Sequence, residues 1–342
     1  MVNNGSRTAG LVLVFVVSMV FLILSLVHSD FIALAVISLI VGLVLLLRSG
    51  GSEQKETSKV IIRRTVLPQN YRPQHNATSN KESSLDYLTS DILLNGRYQI
   101  EKQLKKGGMS IIALARDTET DSYCVIKTPR YDTVHDTDIN VEKLTLEAAF
   151  LKQIDHPNIV KYLDLFTYDN MLYLVEEYVE GDNLFDVFNI EPADEGRVLK
   201  WGEQLLNALE HMHRRGLIHR DVNPGNIMLK PNDNVVIVDF GTAKTAATEG
   251  LTIVKTPGFE VPEQVATGYA DERSDLFGAG STLFYLLTSA PPGSIGNRNV
   301  AEILLSKGVS IRTTRCIAQT LQMDSGLRFQ NAAAMRWALC GL

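Results

Sequence analysis

The run His219-Arg220-Asp221-Val222-Asn223-Pro224-Gly225-Asn226 constrains this chain more than any other stretch of it. An Asp stands behind His-Arg and is followed five residues later by an Asn, with Pro and Gly turning the chain between them. Asp239-Phe240-Gly241 follows eighteen positions after Asp221 and is preceded by the apolar run Val235-Val236-Ile237-Val238. Four consecutive β-branched residues read as a short buried strand that delivers a carboxylate at its end. A lone Asp-Phe-Gly carries little information. Both motifs, in this order and at this interval, carry a great deal.

Over residues 96–342 the chain resembles the eukaryotic-like (Hanks-type) Ser/Thr protein kinases, and within them the membrane-anchored kinases of prokaryotes. The resemblance implies an α+β fold of two lobes, a small β-rich N-lobe over about 96–176 and a larger helical C-lobe over about 177–342. It makes Asp221 the residue that accepts or orients the proton of the attacking hydroxyl. Asn226 and Asp239 become the ligands of Mg²⁺ on the phosphates of ATP. Cys124-Val125-Ile126-Lys127 reads as a strand whose lysine pairs with the α/β-phosphates. Glu147, in the helical spacing Leu144–Leu151, falls where the family places that lysine's partner. Val261-Pro262-Glu263 stands for Ala-Pro-Glu, its acid pairing with Arg328, and Asp275 for the carboxylate that pins the loop carrying Asp221. Lys255-Thr256-Pro257-Gly258-Phe259 resembles the substrate platform of Ser/Thr kinases, with Thr256 bonded to Asp221. The adenine is expected between Ile112 and Val125 above and Met228 below, near Leu104, with the backbone of Glu177 and Val179 at its edge.

The chain also departs from the family. The phosphate-covering loop should read Gly-x-Gly-x-x-Gly-x-Val, yet Leu104-Lys105-Lys106-Gly107-Gly108-Met109-Ser110 puts Lys105 at the first glycine and Ser110 at the third. Glycines let backbone approach phosphates closely, so these losses weaken the loop, while Lys105 and Lys106 offer cations in return. Asn223 replaces a lysine that neutralises the γ-phosphate, so Asn223→Lys is expected to keep or raise activity. Glu176 occupies the gatekeeper position behind the adenine, where a buried carboxylate is costly unless paired, and Lys127 is its available partner. Between Pro292 and Arg328 few residues are left for helices. Val198, Trp201, Leu205, Leu209 and Met212 form one apolar stripe of a helix, which is core.

Residues 10–27 and 31–47 carry no charge, and each is at the short end of what spans a hydrocarbon core of ~30 Å at ~1.5 Å per residue. Only His28-Ser29-Asp30 separates them, so they are expected to form a transmembrane hairpin behind a short cytoplasmic segment, 1–9. Arg48, Lys55, Lys59, Arg63, Arg64 and Arg72 follow the second span, and the connecting turn has no Lys or Arg. The positive-inside rule then places the remainder of the chain in the cytoplasm. Residues 48–95 are polar, without sustained periodicity, and read as a tether.

The net charge of −6 among 342 residues argues against a nucleic-acid surface. The three cysteines show no paired or metal-ligand spacing. The expected activity is a membrane-anchored protein kinase using ATP and Mg²⁺ on Ser/Thr hydroxyls of protein substrates. The alternative is a pseudokinase scaffold that binds partners at the membrane without catalysis. Self-association on the bilayer would favour phosphorylation in trans at Thr248 or Thr252, with Arg220 receiving the phosphate.

Overall fold

The computed structural model describes residue 88 and residues 92–107, 110–131, 137–245, 256–295 and 299–341, all within the contact unit Thr65–Leu342. Both apolar segments, 10–27 and 31–47, lie outside the described residues, as do Gly108, Thr248 and Thr252. Among the described residues no helix is long and apolar enough to cross a membrane.

The strands are β1 (Leu93–Leu94), β2 (Tyr98–Lys106), β3 (Ser110–Asp117), β4 (Ser122–Pro129), β5 (Tyr162–Tyr168), β6 (Met171–Glu177), β7 (Asp182–Asn183), β8 (Leu217–Ile218), β9 (Ile227–Leu229), β10 (Val235–Ile237) and β11 (Lys244–Thr245). The helices are α1 (Thr137–Leu151), α2 (Leu184–Val187), α3 (Glu195–His213), α4 (Pro262–Thr267), α5 (Glu272–Thr288), α6 (Val300–Ser306), α7 (Ile311–Thr320) and α8 (Ala332–Cys340). The first six strands make one antiparallel sheet in the order β1-β2-β3-β4-β6-β5, with α1 inserted between β4 and β5. The rest is helical apart from short hairpins. The two-lobed α+β expectation holds.

Side chains alternate across a pleated strand, so one face of the sheet collects apolar residues and the other is left for chemistry. Ile111, Ala113, Ala115, Cys124, Ile126, Tyr173 and Val175 form a closed core with Leu94 and Tyr98. The alternate positions, Ile112, Val125, Lys127 and Glu176, share the opposite face, since Ile112 pairs with Lys127 and Val125 with Glu176. Lys127 therefore points away from the apolar core because of its register alone.

Two boundaries shift. Leu88 and Leu94 fall within the stretch read as tether, yet both are buried in the N-lobe core, because β1 pairs with β2 and extends the sheet. The segment expected to be poor in helices carries α6 and α7, whose Leu304, Cys316 and Ile317 complete the core beneath α5. Short caps make this possible: Asn299 and Ser310 each accept a backbone N–H at the start of their helix. The stripe on α3 is buried as expected, with Val198, Trp201, Leu205, Leu209 and Met212 all at 2% exposure or less.

Candidate active site

The antiparallel hairpin β9–β10 explains how the two motifs meet. Ile237 pairs with Ile227, so the residues just before β9 and just after β10 lie side by side. Asn226 precedes the hairpin and Asp239 follows it, and the Val238 N–H donates to the Asn226 carbonyl at 2.9 Å. The 13 positions from Asn226 to Asp239 are thereby reduced to neighbours across one ladder.

Asp221 is held by three neutral side chains. Its Oδ1 accepts from Thr256 Oγ1 at 2.8 Å and Asn223 Nδ2 at 2.9 Å, and its Oδ2 accepts from Asn226 Nδ2 at 2.9 Å. The Asn226 amide also donates to the Asp221 carbonyl at 3.0 Å. Both carboxylate oxygens are thus aimed by donors that carry no charge.

The loop around Asp221 is anchored from below. Asp275, in the first turn of α5 and 1% exposed, accepts the backbone N–H of His219 on Oδ2 at 2.8 Å and that of Arg220 on Oδ1 at 2.7 Å. Its Oδ2 also lies 2.8 Å from His213 Nε2. The Arg220 carbonyl accepts from Gln264 Nε2 at 2.9 Å. These bonds hold Arg220 at φ 72°, in a left-handed conformation that costs a non-glycine residue energy. Asp239 sits at φ 67° as well, so each motif contains one strained residue at its working position.

The Glu263–Arg328 pair is bidentate, at 2.8 and 2.9 Å. Burial pushes the Glu263 carboxyl up, but the bonds from Arg328 and Ser274 outweigh it and hold the group below its ordinary range. Arg220 donates from Nη2 to the Gly268 carbonyl at 2.9 Å, and the threonines expected to carry its phosphate lie outside the described residues.

Across the cleft, Lys127 meets two carboxylates. Its Nζ is 2.7 Å from Glu147 Oε1 on α1 and 3.1 Å from Glu176 Oε1 on β6. All three residues are at most 5% exposed. Burial pulls Lys127 down, yet Glu147, Glu176 and Asp239 together raise it above its ordinary value and keep it charged. Burial raises Glu147 despite the lysine, and it pushes Glu176 up to about 7. Glu147 Oε1 accepts the Phe240 N–H at 3.1 Å as well, which joins α1 to the Asp239-Phe240-Gly241 motif. The Glu176 Oε1 atom, in contrast, has no hydrogen bond of good geometry. Glu176 pairs with Val125 on the face of the sheet that carries Lys127, and the acid does reach Lys127.

Asp239 is held below its ordinary range. Burial raises it, but Lys127, the Gly241 N–H, His219 and Lys105 together lower it further. Its carboxylate is ionised and could act as an oxygen ligand. Both amide protons of Asn226 are used on Asp221, so its free donor to a cation is the carbonyl oxygen. A carboxylate and an amide oxygen suit a hard divalent cation such as Mg²⁺.

The residues expected around the adenine occupy both sides of the cleft. Ile112, Val125, Met228 and Glu177 are half-buried, Val179 is buried, and Leu104 is 45% exposed at the outer edge of β2. Gly107 closes the loop turn through its N–H to the Ser110 carbonyl at 2.9 Å, and its own carbonyl accepts from Arg130 Nη1 at 3.2 Å.

Asn223 has a different part from the one expected of a substitute for lysine. It is 5% exposed, and its Oδ1 accepts the Gly225 N–H at 2.9 Å while its Nδ2 donates to Asp221. A lysine at 223 has no acceptor, so Asn223→Lys would strand the Gly225 N–H. Reasoning from the sequence missed this, and it also missed Gly278. A Cβ at Gly278 on α5 would lie 2.4 Å from the Val222 carbonyl oxygen, so the helix approaches the loop as closely as backbone can. Its only signal in the sequence is a glycine three residues after Asp275 in a helical pattern.

Comparison with known proteins agrees with this geometry. The model of the protein kinase domain matches residues 98–329. The serine/threonine-protein kinase PrkC of Bacillus subtilis is 34% identical over 204 residues, 58% of this chain and 31% of that protein. The serine/threonine-protein kinase PknB of Mycobacterium tuberculosis is 30% identical over 271 residues, 73% of this chain and 43% of that protein. A probable serine/threonine-protein kinase of Streptomyces coelicolor, SCO3848, is 31% identical over 269 residues, 71% of this chain and 39% of that protein. The chain therefore spans between about a third and two fifths of the length of these relatives. With the Lys127–Glu147 pair, the Asp221 loop and the Asp239 motif all in place, the chain belongs to the protein kinase family and is similar within it to the bacterial Ser/Thr kinases.

Proposed function

We propose that this chain is a membrane-anchored Ser/Thr protein kinase that transfers the γ-phosphate of ATP to protein hydroxyls. The observation that carries the reading is the closed Lys127–Glu147 pair, 2.7 Å long and buried, with Glu147 also accepting the Phe240 N–H beside Asp239. Lys127 orients the α/β-phosphates and Asp221 takes the proton of the incoming hydroxyl. Asp239 and Asn226 would hold Mg²⁺, which neutralises charge on the transferring group. The bond from Thr256 to Asp221 supports Ser and Thr as acceptors, since it fixes the platform on which a short hydroxyl side chain must lie. The two uncharged segments 10–27 and 31–47 support anchoring in a membrane, with the site on the cytoplasmic side. A scaffold without catalysis is the weaker reading, because no member of the set Lys127, Glu147, Asp221, Asn226 and Asp239 is missing.

The test uses the 342-residue chain with labelled ATP, Mg²⁺ and a generic protein acceptor. Label is expected on Ser and Thr, and Asp239→Asn should abolish it while leaving the melting temperature near that of the unaltered chain. ATP binding with no label transferred under any of these conditions would sink the catalytic reading in favour of the scaffold.

A further inference from the structure

Electrostatic bookkeeping at the phosphate end of the cleft leaves a cation to be found. Asn223 is neutral, buried and fully committed to Asp221, Thr256 and Gly225. Lys127 is shared between two carboxylates, Arg220 bonds the Gly268 carbonyl, and Arg130 bonds the Gly107 carbonyl. A triphosphate brings more negative charge than a diphosphate, all of it at the γ end, and charge developing there is what such a site must stabilise.

The sheet register supplies a cation in the right place. Lys105 on β2 pairs with Ile112 on β3, and Ile112 pairs with Lys127 on β4. Directly paired residues share a face, so Lys105 lies in the same cross-strand row as Lys127, two strand spacings or about 10 Å away. The register shifts between Gln103 and Lys105, and Lys105 is the penultimate residue of β2, next to the loop. Its side chain is exposed.

We propose that Lys105, standing where a glycine would be expected, faces the γ-phosphate of bound ATP and supplies the positive charge that residue 223 does not. The charge has moved from the loop of the C-lobe to the loop of the N-lobe. Asn223 retains only the positioning of Asp221. The inference rests on the kinase reading above and goes further in assigning the γ-phosphate contact.

The test measures binding of MgATP and MgADP separately to the 342-residue chain, for the unaltered protein and for Lys105→Met and Lys105→Arg. A hydrogen bond to a charged partner is worth about tenfold to a hundredfold in affinity. Lys105→Met should weaken MgATP by that factor and MgADP by less than about threefold, and Lys105→Arg should keep both within about threefold. An equal loss for the two nucleotides, or no loss for either, overturns the γ-phosphate assignment while leaving the kinase reading intact. An unaltered chain that binds neither nucleotide overturns the kinase reading and this inference with it.

Discussion

The carboxylate of Asp221 and the ammonium of Lys127 are held by opposite means. Asp221 is aimed by Thr256, Asn223 and Asn226, all neutral, with both oxygens satisfied. Lys127 is held by the charges of Glu147 and Glu176, with Asp239 nearby, and Glu176 Oε1 is left without a well-formed hydrogen bond. Neutral, saturated networks fix geometry cheaply, because no desolvated charge is left over. Ionic, buried networks are sensitive to any change in the charge count. The Asp221 side is therefore built to position. The Lys127 side carries an excess of acid that suits a site for cations and a cation-bound nucleotide.

That contrast can be broken most forcefully at Lys127. Lys127→Met should abolish phosphoryl transfer and also destabilise the fold, since it leaves Glu147 and Glu176 buried without their cation. Removing one partner of a buried pair costs about 3–5 kcal/mol, and the loss should be largest near pH 8 and smaller near pH 5, where the acids take up protons instead. Denaturant melts at the two pH values check it; a loss independent of pH would mean that the cluster is not governed by charge.

The neutral side is best probed by shape. Gly278→Ala places a methyl group 2.4 Å from the Val222 carbonyl, so the loop must move. Overpacking of this kind costs about 1–3 kcal/mol. The turnover rate should fall more than the affinity for MgATP, because Asp221 is displaced and Lys127 is not. An equal fall in both would show that the two sides are not separable.

The smallest expected effect sharpens the comparison at Glu176. Its carboxyl is raised in the fold from 4.5 to about 7, so between those values the folded chain keeps a proton that the unfolded chain releases. Stability therefore falls as pH rises through that window and levels off above it. Glu176→Gln removes the titration, so its melting temperature relative to the unaltered chain should climb between pH 5 and pH 7. A flat difference would place the ionisation elsewhere in the cluster.

Much of this site was legible in the chain because motif spacing reports local geometry. Asp221, Asn226 and Asp239 stand at the ends of one short hairpin, and Lys127 and Glu147 on a strand and helix of ordinary pattern. Glu263 and Arg328 were also legible as a pair, through the resemblance. The length of β1 and the helices α6 and α7 were not, since two-residue strands and helices of seven to ten residues depend on what they pack against more than on their own periodicity. Nor was the part played by Asn223, whose type announced a missing charge while its contacts reveal a cap and an aim for Asp221.

The sequence by itself determined which groups are present and in what order: Lys127, the carboxylates Glu147, Asp221, Asp239, Glu263 and Asp275 at family intervals, an amide where a cation was expected, and a lysine where a glycine was expected. Only the tertiary structure decided how they share one another. That Glu176 competes with Glu147 for Lys127, that Gly278 gives α5 room against Val222, and that Lys105 lies in the row of Lys127 all depend on sheet register and helix approach. Those are distances between residues far apart in the chain, and they are set by packing, which no local pattern encodes.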